Sequence, residues 1–365
     1  MKAKKSVAVI GAGIVGLNTA YKSATEGMDV TIFEMQEFPP ANASAIAGGM
    51  LAPFSEIEAL PLKFVQAGLK GISYWKENLG QEQDKCMQNT GSLFVAHPED
   101  KHMLERFAHH MPTASDDWEW VDGERLSEIE PMVAGRFSRG LYIPQEANVH
   151  PLHVMDILAK KLKDMGAKII QKEADPKELE GEFDWVVDCR GWVDGMDDDL
   201  RGVKGEIILL ENKEFKISRP VRLMHPRYPL YIIPRPNNVF AVGASSIENA
   251  EEHDGLVFLR SAMELMSAAY SLHPSFGDSK VLDMSSAIRP SYMDNLPRIN
   301  INDDKTLEKG DGGYIRCNGV SRHGYLLSPV MGNCVAHYIA TGEENEDFAL
   351  FSGQYNFHVP SEEAA

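Results

Sequence analysis

After a basic lead-in, Met1–Lys5, the first apolar run is Ser6-Val-Ala-Val-Ile10, which reads as a buried strand. Gly11-Ala-Gly-Ile-Val-Gly16 interrupts it. Leu17–Glu26 then reads as a helix, with Gly27 where a C-terminal cap belongs. Asp29-Val-Thr-Ile-Phe33 reads as a second strand, closed by Glu34. Farther along, a helix is expected from about Pro151 to Gly166 and a strand over Ala167–Gln171. Phe183-Asp-Trp-Val-Val-Asp-Cys-Arg-Gly191 reads as a buried strand ending in a glycine turn. The last helix is expected from about Ser328 to Thr341, just before Gly342. No internal repeat or low-complexity linker is evident.

The first three elements form a strand–helix–strand unit around G-x-G-x-x-G, the context a dinucleotide fingerprint requires. Gly11 permits the tight turn, Gly13 lets the backbone approach a pyrophosphate, and Gly16 allows close helix–strand packing. The helix N-terminus offers free N–H groups and a partial positive charge to that pyrophosphate. Glu34 can accept hydrogen bonds from ribose hydroxyls. An acid there disfavours the extra phosphate of NADP but does not separate NAD from FAD.

The run Ala43-Ser-Ala-Ile-Ala-Gly-Gly-Met-Leu-Ala-Pro53 puts small residues where the chain must pass a bulky planar ligand. Here the sequence resembles the D-amino-acid oxidase superfamily of flavoproteins, and most of all the glycine oxidases of the thiazole branch of thiamine biosynthesis. Further landmarks are Gly140–Leu152, Val203-Lys-Gly-Glu206, His225–Pro236 with Phe240–Ala244, Ile288-Arg-Pro290 with Asp294–Pro297, and Asn318–Pro329. The resemblance implies an α/β protein in which a Rossmann-like FAD-binding domain is interleaved with a mixed-sheet substrate domain. The FAD domain would comprise residues 1–80, 148–200 and 310–365, and the substrate domain 81–147 and 201–309. The cofactor would touch Gly11, Gly13, Ile14, Val15, Gly16, Glu34, Met35, Ala43, Ser44, Gly48, Gly49, Met50, Ala174, Gly191, Ser321, Arg322, His323, Gly324, Tyr325 and Leu326. FAD is expected to be noncovalent, since Arg289–Pro297 holds no cysteine. Ser321, Tyr292-Met293 and Pro229 depart from the family pattern, all around the expected substrate pocket.

Oxidising an amino acid at its C–N bond asks little acid–base chemistry of the protein. Flavin is the electron acceptor. The protein holds the carboxylate, keeps the pocket dry and aims Cα–H. Arg289 is the expected anchor, because a guanidinium fork matches a carboxylate. Tyr231 alternates along its strand and can donate to the same carboxylate. Arg322 can line the substrate site or add to the positive helix end beneath the flavin. Loop histidines such as His323 more often pack or face water, and the remaining histidines suggest no metal site. Bulk at Tyr292, Met293 and Tyr325 would narrow the pocket. Glycine is the expected first substrate, with sarcosine and small D-amino acids slower, an imine as product and peroxide from oxygen.

Composition narrows the field further. The chain has 365 residues, 43% hydrophobic and 25% charged, a globular balance with room for two domains. Its net charge of −18 opposes nucleic-acid binding. Acidic clusters such as Asp197-Asp-Asp199 read as solvated loops. No apolar stretch is long enough for a membrane span. Cys86, Cys189, Cys317 and Cys334 are widely spaced, which suits buried free thiols in a reducing cytoplasm. The partners expected are a small amino acid and oxygen, with a homo-oligomer left open. Two other readings stay open: a flavin dehydrogenase with a non-oxygen acceptor, and a flavin-bound accessory protein that modifies a partner.

Overall fold

The computed structural model describes residues 4–353 other than 58–59, 194, 196, 198, 226–229, 249–253 and 304–310. Ser6–Ile10 forms the expected strand, and Val7, Ala8 and Val9 are buried completely. A parallel strand flanked on both sides and covered on both faces needs such an unbroken apolar run. It pairs in parallel with Asp29–Glu34 on one side and Trp185–Asp188 on the other. Lys168–Gln171 extends this sheet beyond Asp29–Glu34, and Gly313–Asn318 then Arg298–Asp303 extend the opposite side, giving six strands.

The helix after the glycine turn runs over Ile14–Thr25, three residues ahead of the expected start. Gly13 is its extended N-cap, and the Ser44 hydroxyl accepts from the Ile14 N–H at 2.9 Å. A residue thirty positions away thus satisfies a donor that the helix end leaves open. The last helix, Gly324–Thr341, also begins early and carries Pro329 inside it. Proline cannot donate to the carbonyl four residues before it. The Trp75 indole N–H takes that place, donating to the Tyr325 carbonyl at 2.6 Å.

These two helices cross with almost no space between them. A Cβ on Gly332 would lie 2.8 Å from the Asn18 backbone. The Asn18 amide donates to the Ile14 carbonyl at 3.0 Å and to the Ser328 hydroxyl at 3.1 Å, tying one helix to the other.

The second sheet has eight strands in mixed orientation. Lys280–Tyr292 and Leu200–Glu211 form a long antiparallel pair at one edge. Val239–Gly243, Leu230–Arg235 and Val221–Met224 follow, each antiparallel to the one before it, and Ser92–Ala96 joins in parallel. Arg139–Ile143 and Glu119–Asp122 complete it. A three-stranded sheet of Met50–Leu51, Ala147–Val149 and Met87–Gln88 links the two large layers.

Strand membership departs from the expected segment limits in two places. Arg298–Asp303, expected with the substrate segment, is the antiparallel partner of Gly313–Asn318 and so belongs to the six-stranded sheet. Met87–Gln88 pairs with Ala147–Val149 across another expected limit. All four cysteines are buried and free. Asp197 is more than a solvated loop residue: its carboxylate lies 3.6 Å from the Arg316 guanidinium. Among the described residues no helix is long and apolar enough to cross a membrane.

One carboxylate lies deep between the layers. Glu146 is 1% exposed and accepts from the Phe54 N–H at 3.2 Å and the Ser55 hydroxyl at 3.4 Å. Burial pushes its pKa up from 4.5 to about 7, while the Arg222 guanidinium pulls the other way.

Two outcomes follow for stability. Gly332→Val should cost about 1–3 kcal/mol through overpacking at the helix crossing. Gly135→Ala, where a Cβ meets nothing nearer than 4.0 Å, serves as the control for denaturant midpoints of the FAD-loaded protein. Glu146 has a raised folded-state pKa, so its contribution is complete below pH 4.5 and is lost as pH rises through about 7. Between pH 5 and 8 the parent should therefore lose on the order of 3 kcal/mol more than Glu146→Gln, measured by denaturation at both pH values. Equal losses would remove the buried carboxyl as the cause.

Candidate active site

Between the layers lies one large cleft of about 1240 Å³. Drug-sized sites occupy about 300–1,000 Å³, so this space suits a larger ligand. Its wall on the six-stranded side begins at the glycine turn. Gly11 has φ +99°, and its N–H donates to the Phe33 carbonyl at 2.7 Å. A Cβ there would stand 2.8 Å from the Cys189 carbonyl, so glycine meets both the conformation and the close approach. Gly11, Gly13, Ile14 and Val15 line the cleft. Gly16 does not; it packs against the Gly11 carbonyl, closing helix on strand.

Glu34 and Met35 line the same cleft. The Glu34 carboxylate accepts from the Ala12 N–H at 2.8 Å and the Gln36 N–H at 3.0 Å, which fixes its orientation. Ala43, Ser44, Gly48, Gly49 and Met50 also face the cleft, as do Ala174 and Gly191. From the final loop come Ser321, Arg322, His323, Gly324, Tyr325 and Leu326. His323 is buried there, whereas Arg322 is exposed. Gly324 begins the last helix, and a Cβ on it would stand 3.5 Å from the Ile14 side chain. The N-terminal ends of the two crossing helices therefore meet at the cleft wall.

The eight-stranded sheet supplies the opposite wall. Tyr231 pairs directly with Gly243, whose missing side chain leaves room for the phenol: a Cβ would lie 2.8 Å from its oxygen. Gly48 passes over the same ring, and a Cβ on it would reach Tyr231 Cε2 at 3.0 Å. Burial raises the Tyr231 pKa, while the Arg289, Arg222 and Arg235 guanidinia pull it back. Arg289 comes from the long edge strand, where it pairs with Val203. Its guanidinium lies in a slot opened by Gly205, since a Cβ there would overlap it, and it donates to the Ser245 carbonyl at 3.1 Å. Tyr231, Arg289 and Arg322 thus face one cavity.

Two expected pocket residues lie elsewhere. Tyr292 is three positions from Arg289 on one strand, and residues three apart in a strand point to opposite faces. Its ring packs on Gly319 beneath the Arg298 guanidinium, 4.1 Å from the ring centre, and its hydroxyl reaches Asp197 at 3.3 Å. Met293 is 69% exposed in the turn that follows. Neither narrows the cleft; Tyr325 does line it. Pro229 lies outside the described residues.

Sequence reasoning missed two arginines. Arg222 stands opposite Tyr231 on the neighbouring strand and lines the cleft; between Val221 and Leu223, its signal was a charge in an alternating strand. Arg235 lies behind the wall and donates to the Gly48 carbonyl at 2.6 Å and the Val149 carbonyl at 2.9 Å. Burial lowers its pKa to about 10. It ties the small-residue segment to the sheet that carries Tyr231. Cys189 and Cys317 line the cleft too; their mutual contact and burial push the Cys317 thiol well up, which keeps it protonated. Among the described residues no three His, Cys, Asp or Glu side chains gather as a metal site.

Comparison with known proteins agrees with this arrangement. The chain is 37% identical over 336 residues to a Rhizobium etli protein named as a thiamine biosynthesis oxidoreductase, ThiO, covering 92% of this chain and 96% of that protein. It is 25% identical over 376 residues to the glycine oxidase of Bacillus subtilis, covering 95% and 96%. The crystal structure of glycine oxidase from Geobacillus kaustophilus matches it with a TM-score of 0.78 at 22% identity, covering 96% of this chain and 98% of that one. A likeness at that identity speaks for the fold alone. The FAD dependent oxidoreductase family matches residues 6–338, and the chain belongs to that family.

Proposed function

We propose that the protein oxidises the C–N bond of a small amino acid, glycine first, and passes the electrons to oxygen. The observation that carries this reading is the pairing of Arg289, slotted into Gly205, with the Tyr231 phenol on one cleft wall. The cleft fits FAD by its size, its glycine turn and the two helix N-termini at its wall. Gly11, Gly13, Ile14 and Val15 would hold the pyrophosphate, with Glu34 toward the ribose. The small segment Ala43–Met50, Gly191 and the Ser321–Leu326 loop would bound the rest. Ala174 and Met35 would flank the adenosine part. When bound, FAD would supply the two-electron acceptor for this oxidation, with oxygen as the terminal oxidant.

The chain's own residues do the remaining work. Arg289 binds the substrate carboxylate through its guanidinium fork. The Tyr231 hydroxyl, whose titration burial moves upward, stays protonated and donates to the same carboxylate. Arg322 and the start of the last helix favour negative charge at their end of the cleft. Apolar walls such as Ile207 and Leu326 exclude water. For glycine the balance is glycine plus oxygen to iminoacetate plus hydrogen peroxide. The Rhizobium etli relative is named for thiamine biosynthesis, which supports a place for this oxidation in that pathway.

FAD should be held without a covalent bond, in keeping with the protonated Cys317 thiol. Acid precipitation of the yellow protein should release the flavin into the supernatant; colour retained in the pellet would overturn this. Stopped-flow reduction with glycine, sarcosine, D-alanine and L-leucine tests the substrate. Glycine should reduce the flavin fastest and L-leucine should fail. Peroxide released in air separates an oxidase from a dehydrogenase. Arg289→Ala should raise KM by about 30-fold or more while FAD stays bound, and Arg289→Lys should restore only part. Near-normal KM in Arg289→Ala would remove the anchor.

A further inference from the structure

Exposed apolar side chains concentrate on one part of the surface. Of the fifteen large apolar residues that are exposed among the described ones, eight lie between Leu256 and Met284. Two elements carry most of them, the helix Leu259–Leu272 and the strand Lys280–Tyr292. The helix turns Ala262, Leu265 and Ala269 into the core against the eight-stranded sheet. Leu259, Met263 and Tyr270 recur at helical spacing along a second stripe, and this stripe stays in water, with Leu259 75% exposed.

The strand is the outer edge of the eight-stranded sheet, and its first part, Lys280–Met284, is exposed throughout. Val281 and Met284 stand opposite Leu210 and Ile208, which the helix covers, so they lie on the helix side of the sheet. Leu282 is the extra residue of a bulge. Two contacts join the stripe to the edge. The Ser286 hydroxyl donates to the Leu256 carbonyl at 2.7 Å, just before the helix begins. At the other end, a Cβ on Gly277, in the turn that enters the strand, would lie 3.0 Å from the Tyr270 ring. The apolar surface is therefore continuous from helix to edge. Phe258 and Leu259 also line the cleft, so this surface ends at the cleft mouth.

Eight half-exposed side chains of this size amount to on the order of 800 Å², which is what one partner contributes to a standard interface and more than a monomer usually leaves in water. Charge selects the occupant. The stretch holds Arg260 and Lys280 against Glu264, Asp278 and Asp283, close to balance in a chain of net charge −18. The strongly acidic remainder repels an anionic lipid surface and resists a second copy everywhere else. An open strand edge is also self-complementary, since it can meet itself antiparallel about a two-fold axis.

We infer that this surface docks a second copy of the chain, strand edge to strand edge and helix stripe beside helix stripe, with the two-fold axis near Leu282.

The test uses the FAD-loaded full chain. Sedimentation equilibrium at micromolar concentration should give a dimer or an assembly of dimers. Met263→Glu combined with Leu282→Lys should weaken dimerisation about tenfold or more. Leu152→Glu, at an exposed apolar residue outside the surface, should leave it unchanged. A second measurement needs no weakened variant. The native cysteines Cys86, Cys189, Cys317 and Cys334 are buried, so a short bismaleimide should link Leu282→Cys into a covalent dimer in clear excess over Leu152→Cys. Should the double variant lose FAD, this crosslink decides. A monomeric parent, a double variant that assembles like the parent, or equal crosslinking at the two positions overturns the interface. A monomer that sediments with phosphatidylcholine vesicles overturns it too and assigns the surface to lipid.

Discussion

The contact between Gly332 and the Asn18 backbone sets the distance between the two helices that begin at the cleft. With no side chain in the way, the helices lie close enough for Asn18 to bridge them through Ile14 and Ser328. Their N-terminal ends then abut at Ile14 and Gly324. Each end adds a partial positive charge, and together they create one region of the wall that favours anions. The Trp75 bond to the Tyr325 carbonyl fixes the first turn of the last helix beside that crossing. A wider crossing would separate the two ends and divide the wall.

The opposite wall follows a different rule. It is a sheet, so its chemistry comes from parity and from the places where side chains are missing. Gly205 leaves room for Arg289, while Gly243 and Gly48 leave room for Tyr231. Arg235 joins this wall to the segment that carries Gly48 through two backbone carbonyls. The polar side chains are thus held by the absence of neighbours as much as by bonds. Rigid placement of this kind lets a few groups orient a small ligand.

The fingerprint, the first two strands and the general alternation of elements were legible because their signals are local. Gly11 and Gly16 need special backbone geometry, and Val7–Val9 need burial on two faces, whatever the rest of the chain does. The early start of the last helix was not legible, because Pro329 reads as a boundary unless Trp75 is known to take the orphaned carbonyl. Tyr292 was misplaced because the extent of the strand that carries Arg289, and so the parity of Tyr292 on it, was not legible, and Met293 because the strand ends before it. Arg222 and Glu146 went unassigned for a similar reason: one needed the strand order and the other the stacking of the layers. The pairing of Arg298–Asp303 with Gly313–Asn318, on either side of the expected limit near residue 310, was not legible because it needed the strand order.

The order of strands in the six-stranded sheet also bears on how the chain is made. Ser6–Ile10 lies beside Trp185–Asp188, which in turn lies beside Gly313–Asn318. On a ribosome adding about 5–20 residues per second, the roughly 175 residues between the first strand and its neighbour Trp185–Asp188 take about 9–35 s to emerge. Through that interval the nascent strand Ser6–Ile10, apolar on both faces, can pair with Asp29–Glu34 but has no neighbour on its other edge. An open edge of that kind invites pairing with another chain. Yield in a cell would then depend on chaperone capacity during synthesis more than on the stability of the finished enzyme.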